Sequence, residues 1–275
     1  MAGLGVVFSS GFFGFFAHAG FLRALRETGL EASGYGGTSS GAVVAAMAAS
    51  GMPDDAIQEV LFSVRKADFW DPDPPGVLVR EALGRFRGYT GYLGGEGFAK
   101  LLRKIPLKRI EDARVPLVIG ATNLTERREH LFTRGDLISA LQASGAVPVF
   151  FKPVEIDGCL YVDGGVVNKA PLLGLADAVR PEKVLVHFIP SADMAGDGNP
   201  FLKKAMTPLH LQHLAINIGR QEAYRLQREM ALGKGIELRE VVSDAPSVGP
   251  NTLGLGPRAY QRAYERGLEV LGGLN

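Results

Sequence analysis

Short apolar runs alternate with glycine-rich breaks over the first fifty residues. Leu4 to Phe8 has the length of a buried strand, Ser9-Ser10-Gly11-Phe12-Phe13-Gly14 breaks it, and the spacing that follows predicts a helix from about Phe15 to Thr28. A second strand-length run, Ala32 to Gly36, leads to Gly37-Thr38-Ser39-Ser40-Gly41 and the alanine-rich helical run Ala42 to Ala49. This order of strand, helix, strand and helix opens a parallel sheet covered by helices. The turn around Gly11 and Gly14 and the turn around Ser39 then lie side by side at the carboxyl edge of the sheet, where such folds place their ligands.

The rest of the chain continues in the same style. The pattern predicts a helix from about Asp54 to Lys66, a stiff proline loop from Asp71 to Gly76, and a glycine-rich stretch, Gly88 to Gly95, that is either a lid or, more simply, a solvated connection. Val115 to Thr122 reads as a strand buried on both faces and Glu129 to Thr133 as a shorter one. Asp136 caps a helix from Leu137 to Ala143. Pro153 to Ile156 and Cys159 to Val162 flank Asp157-Gly158, a two-residue hairpin turn, with Asp163-Gly164-Gly165 next. A strand at Lys183 to Ile189, a long helix from Pro208 to Leu232, a strand at Ile236 to Val242 and a helix from Pro257 to Leu271 complete the pattern. Tyr260, Tyr264, Leu268 and Leu271 fall on one face of that last helix. The fold class is α/β, a three-layer sandwich with a mainly parallel central sheet, and residues 1–275 read as one domain.

Charge and cysteine content narrow the function. Thirty basic and 29 acidic residues are spread throughout, so no electrostatic footprint of a nucleic-acid binder exists. A single cysteine, Cys159, excludes an intrachain disulfide and a thiolate metal cluster, and fits a reducing, cytoplasmic setting. Ala2 to Leu22 carries no formal charge but lacks a basic leader and is interrupted by glycines and serines, so a buried strand, loop and helix start explain it better than a signal peptide. His210 and His213 stand one helical turn apart, but no carboxylate or third histidine joins them in that run, so no metal and no cofactor are called for.

The strand-to-helix turn at Ser39 suits a nucleophile. Side chains two positions either side of it would collide, which gives Gly37 and Gly41 a steric reason, and the helix that follows aims its positive end at the serine oxygen. No histidine falls in the late loop that would complete a Ser-His-Asp triad, and only about two strands precede Ser39. Two aspartates remain. Asp157 is explained by its hairpin turn, whereas Asp163 ends a strand and is followed by two glycines that leave its carboxylate accessible. It suits a base acting on Ser39 directly, or an aspartate bonding turn amides.

The sequence resembles the patatin-like phospholipases over about Gly5 to Leu175. The matches run in order through His18-Ala19-Gly20-Phe21-Leu22-Arg23-Ala24-Leu25, Gly37 to Ala42, Ala143-Ser144-Gly145-Ala146-Val147-Pro148 with Phe151 to Val154, and Tyr161-Val162-Asp163-Gly164-Gly165 with Asn168 and Pro171. The resemblance implies a three-layer α/β/α fold and hydrolysis of lipid esters through an acyl-enzyme. Ser39 would be the nucleophile, Asp163 the base, and the backbone N–H groups of Gly11, Phe12 and Phe13 the oxyanion hole. The family usually has three glycines and often an arginine in its first turn, where this chain has Ser9-Ser10-Gly11-Phe12-Phe13-Gly14 and one extra residue before His18. An acyltransferase using the same nucleophile and a catalytically silent lipid-binding protein are the alternatives. A nucleotide site is not, because neither turn completes G-x-G-x-x-G and no G-x-x-x-x-G-K-[ST] occurs. Phe12, Phe13, Phe15 and Phe16 line an acyl pocket, touch a membrane surface or pack in the core, three readings the residues leave open.

Overall fold

The computed structural model describes residues 3–74, 76–77, 83, 89–190 and 208–273. In chain order they form β1 (Leu4–Phe8), α1 (Phe15–Glu27), β2 (Gly34–Thr38), α2 (Ser40–Ala49), α3 (Asp54–Phe62), α4 (Lys66–Phe69), β3 (Gly91–Leu93) and α5 (Glu96–Leu102). Next come β4 (Leu117–Asn123), β5 (Arg128–Phe132), α6 (Leu137–Gly145), β6 (Val149–Phe151), β7 (Val154–Ile156), β8 (Cys159–Asp163) and α7 (Leu172–Val179). β9 (Lys183–Phe188), α8 (Pro208–Gly233), β10 (Glu237–Val242) and α9 (Gly256–Leu271) follow.

The central sheet runs β10-β9-β1-β2-β4-β8-β7, with β5 also paired to β4. The five strands from β10 to β4 are parallel, while β5, β8 and β7 add antiparallel pairs. Both faces are covered, and the period-2 alternation of the strands sorts the core into two. Val6, Phe8, Ile119 and Leu185 face α1, α2, α6 and α9, whereas Val7, Val118, Val184 and Val186 face α7 and α8. This is the expected three-layer α/β/α arrangement.

Several elements differ from the expectation for local reasons. The helix from Asp54 stops at Phe62. The chain turns there to bury Val64 and Phe69, and the Asp68 carboxylate accepts the Arg65 N–H at 2.7 Å to start α4. Part of the glycine-rich stretch is a strand. β3 pairs in parallel with β6, Leu93 is buried, and a side chain at Gly91 would lie 2.3 Å from the Phe151 backbone. Gly88, at the start of that stretch, lies outside the described residues. On α9 the buried stripe is Ala259, Tyr260, Ala263, Gly267 and Leu271, with Tyr264 and Leu268 only at its edge. Small residues face α1 because the two helices come very close. A Cβ on Gly20 would sit 2.0 Å from the Tyr260 carbonyl oxygen, and one on Gly267 2.6 Å from Ala24 Cβ. The Asp157-Gly158 turn has positive φ at both residues, as a two-residue hairpin requires.

Candidate active site

β4 acts as a ruler for this region. Residues 119 and 120 pair with both β2 and β5, and residues 121 to 123 with both β5 and β8, so β2 and β8 share one edge of β4. β2 runs parallel to β4 and ends with Thr38 opposite Gly120, while β8 runs antiparallel and ends with Asp163 opposite Ala121. Two strands thus meet head to head, delivering Ser39 and Asp163 to the same point. The two side chains come close enough for the Ser39 hydroxyl to favour the ionised form of the Asp163 carboxylate.

Ser39 sits at φ 57° and ψ −123°, a backbone conformation that costs an L-residue about 1–3 kcal/mol. The surroundings hold it there. Its N–H donates to Ser144 Oγ at 2.8 Å, and that hydroxyl donates to the Gly120 carbonyl at 2.7 Å, so α6 ties the turn to β4. Gly37 and Gly41 are sterically required: a Cβ on Gly37 would meet the Gly41 carbonyl at 2.3 Å, and one on Gly41 the Phe8 carbonyl at 2.4 Å. α2 begins directly after Ser39, placing its positive dipole end at the hydroxyl.

Asp163 is buried and held from several sides. Its N–H donates to the Ala146 carbonyl at 2.9 Å, its own carbonyl accepts Thr122 Oγ1 at 2.9 Å, and Oδ1 accepts the Gly165 N–H at 2.6 Å. The turn-amide role and the contact with Ser39 therefore coexist. Desolvation raises its pKa above the ordinary aspartate value, opposed by the nearby Ser39 hydroxyl, the Gly165 N–H and the charges of Arg220 and Lys169. Arg220 donates to the Gly165 carbonyl at 3.1 Å. Lys169 is buried, its pKa brought down to about 7 by desolvation first and then by the neighbouring Arg220 charge.

The first turn forms the facing wall. Gly11 carbonyl accepts the Ser40 hydroxyl at 2.6 Å and the Gly14 N–H at 2.9 Å, which curls the turn over the start of α2, and Phe13 takes a positive φ of 52°. Among the described residues no acceptor takes the N–H groups of Gly11, Phe12 or Phe13. The serines that stand in place of a glycine pattern are used structurally: Ser9 Oγ accepts the Ile189 N–H at 2.8 Å, and Ser10 N–H donates to the Lys169 carbonyl at 2.7 Å.

From Ser39 an apolar pocket opens between Phe13, Phe15, Phe69, Phe98, Leu101 and Phe151. The phenylalanine cluster is therefore divided. Phe12, Phe13 and Phe15 line the pocket, whereas Phe16 is buried in the core against Gly256. Phe12 is 53% exposed and, with Val149 and Phe150, leaves apolar surface beside the opening.

Sequence reasoning brings Ser39 and Asp163 forward but misses Ser144, which appears there only within a motif, and Ser40. His18 and His187 fall on a helix and a core strand, as expected, but nothing in the sequence announces their contact. Among the described residues no three or more His, Cys, Asp or Glu side chains are grouped as metal ligands, and no helix is long and apolar enough to cross a membrane.

The family model described as patatin-like phospholipase matches residues 6–176. An uncharacterized NTE family protein of Mycobacterium tuberculosis is 31% identical over 163 residues, 58% of this chain and 42% of that protein. Patatin-like phospholipase domain-containing protein 7 of Rattus norvegicus is 30% identical over 60% of this chain and 12% of its own length. A lysophospholipase of Mycosarcoma maydis is 28% identical over 57% of this chain and 8% of its own. The aligned region thus spans less than half of the curated relatives it matches. Among solved structures, VipD from Legionella pneumophila superposes with a TM-score of 0.54 at 16% identity, covering 99% of this chain and 67% of that one, a likeness of fold.

Proposed function

The chain belongs to the patatin-like phospholipase family, and from that premise we propose that it hydrolyses carboxylic esters of lipids with Ser39 as nucleophile and Asp163 as its base. The observation that carries this reading is the meeting of β2 and β8 on β4, which brings Ser39 to a buried carboxylate beside an apolar pocket. In the reaction Asp163 takes the hydroxyl proton as Ser39 Oγ bonds to the ester carbonyl carbon. The oxygen that becomes negative accepts from the N–H groups of Gly11, Phe12 and Phe13, which no acceptor among the described residues takes. Collapse breaks the ester C–O bond, Asp163 returns the proton to the leaving alcohol, and the acyl group remains on Ser39. Water then attacks as Asp163 takes its proton, the acyl bond to Ser39 breaks, Asp163 passes the proton to Ser39 Oγ, and the acid leaves.

The phenylalanine walls suit an acyl chain and offer nothing to a charged head group, which stays at the opening. A lysophospholipid is the substrate class this arrangement supports, in keeping with the name of one relative. The exposed Phe12, Val149 and Phe150 then rest against the lipid surface that supplies it. Hydrolysis of p-nitrophenyl esters and of lysophosphatidylcholine by the wild type, Ser39→Ala and Asp163→Asn tests the reading. Each variant should keep its fold and lose at least about a thousandfold in kcat, as removal of a nucleophile or its base does elsewhere. Asp163→Asn near wild-type activity would sink the dyad.

A further inference from the structure

A chain of hydrogen bonds runs behind the first turn, through side chains that the proposed reaction does not touch. His18 Nε2 lies 2.8 Å from the Ser9 carbonyl oxygen, His18 Nδ1 lies 2.7 Å from His187 Nδ1, and His187 Nε2 lies 2.7 Å from Ser243 Oγ. Both imidazoles are fully buried and Ser243 nearly so. The order of donors follows from one end. A carbonyl can only accept, so His18 carries its proton on Nε2, its Nδ1 accepts from His187 Nδ1–H, and His187 Nε2 accepts from the Ser243 hydroxyl.

We propose that His18 and His187 are positioning residues for the oxyanion turn, holding the Ser9 carbonyl through a donor chain anchored on Ser243, and take no part in proton transfer. The inference rests on reading that turn as the oxyanion site. Three elements fix Ser9, and the peptide unit that carries its carbonyl is held on the other side as well, where the Ser10 N–H donates to the Lys169 carbonyl at 2.7 Å. The Ser9 N–H donates to the His187 carbonyl at 3.1 Å, its hydroxyl accepts from Ile189, and its carbonyl accepts from His18. Gly11, Phe12 and Phe13 follow two to four residues on, so a shift at Ser9 is passed to all three N–H groups. The rings themselves have no freedom: His187 stacks on Phe21 at 4.6 Å, and His18 meets the edge of Phe8 at 5.3 Å.

No carboxylate enters the chain. The groups that face it are Ser9 from the turn, His187 from β9, Ser243 past β10 and, by its charge, Lys169. Burial keeps both rings neutral, and the Lys169 charge adds to it at His18, which is down to about 3. At its far end the chain holds Ser243, in the connection that leads on to Pro250, which lines the pocket.

His18→Leu against His18→Gln is the test, since glutamine keeps an N–H for the Ser9 carbonyl and leucine does not. The leucine variant should lose about tenfold or more in kcat and in the rate of fluorophosphonate labelling of Ser39, with KM nearly unchanged, on the scale of a damaged oxyanion hole. The glutamine variant should recover most of that loss. Equal loss in both would mark His18 as a proton carrier, and wild-type kcat in the leucine variant would show that the turn needs no anchor; either overturns the proposal. Imidazole ¹⁵N shifts of the wild type supply a second readout, one that needs no turnover. They should report a proton on Nε2 of His18 and on Nδ1 of His187, unchanged from about pH 5.5 to 8. The reverse tautomers, or titration in that range, would overturn the donor order. Failure of the wild type to turn over ester or accept the label would instead strike at the serine reading, leaving the shifts to judge the chain.

Discussion

Burial opposes the ionised form of Asp163, while the Ser39 hydroxyl, the Gly165 N–H and two nearby cations favour it. A base must be ionised to accept a proton, and the pKa in the folded chain stands above the ordinary aspartate value. Activity is therefore full above that raised value and lost as pH falls through it, so the acid limb of kcat/KM should lie above the usual aspartate range. A limb at or below that range would mean that the base is solvated or is another group. Ser39, Asp163 and the turn role of Asp157 are legible in the sequence because each needs a particular side chain at a strand end or tight turn. The proposed oxyanion donors come only from the family resemblance, since backbone N–H groups leave no side-chain signature. Nor is the pairing of His18 with His187 legible, since its partners are brought together only by the parallel pairing of β1 with β9.

Among the elements, α1 and α9 are the pair that sequence periodicity describes least well. Counting large apolar residues favours Tyr264 and Leu268 on α9, but the contact is made by backbone approaching backbone, and glycine and alanine are what permit it. A methyl group on Gly20 has no space beside the Tyr260 carbonyl. Gly20→Ala should therefore destabilise the fold by about 1–3 kcal/mol or more, the cost of overpacking, despite the better helix propensity of alanine. A lower urea midpoint with an unchanged slope is the expected result, and an unaltered midpoint would show that the helices can separate freely. β3 and β6 escape the sequence pattern for a related reason. Each is three residues long, too short for a period, and each becomes a strand only by pairing with the other.

At the scale of the whole molecule, the family match ends at residue 176, yet the structure does not. β9 and β10 complete the sheet on the free edge of β1, and α9 covers the face of α1. A chain cut after Ala176 should therefore bind a hydrophobic dye and melt without a cooperative transition, even though it keeps Ser39 and Asp163. Cooperative unfolding of that fragment would show the later elements to be dispensable. The layered α/β class is legible from the alternation of strands and helices, whereas the strand order is not, because β9 inserts beside β1 across most of the chain. The head-to-head meeting of β2 and β8 on β4 has a consequence in time. Ser39 and Asp163 are far apart along the chain, and such non-local pairings form slowly. Reactivity of the serine during refolding should therefore rise only as β8 finds its register, so that a covalent label, added at intervals, works as a clock for the closing of the sheet.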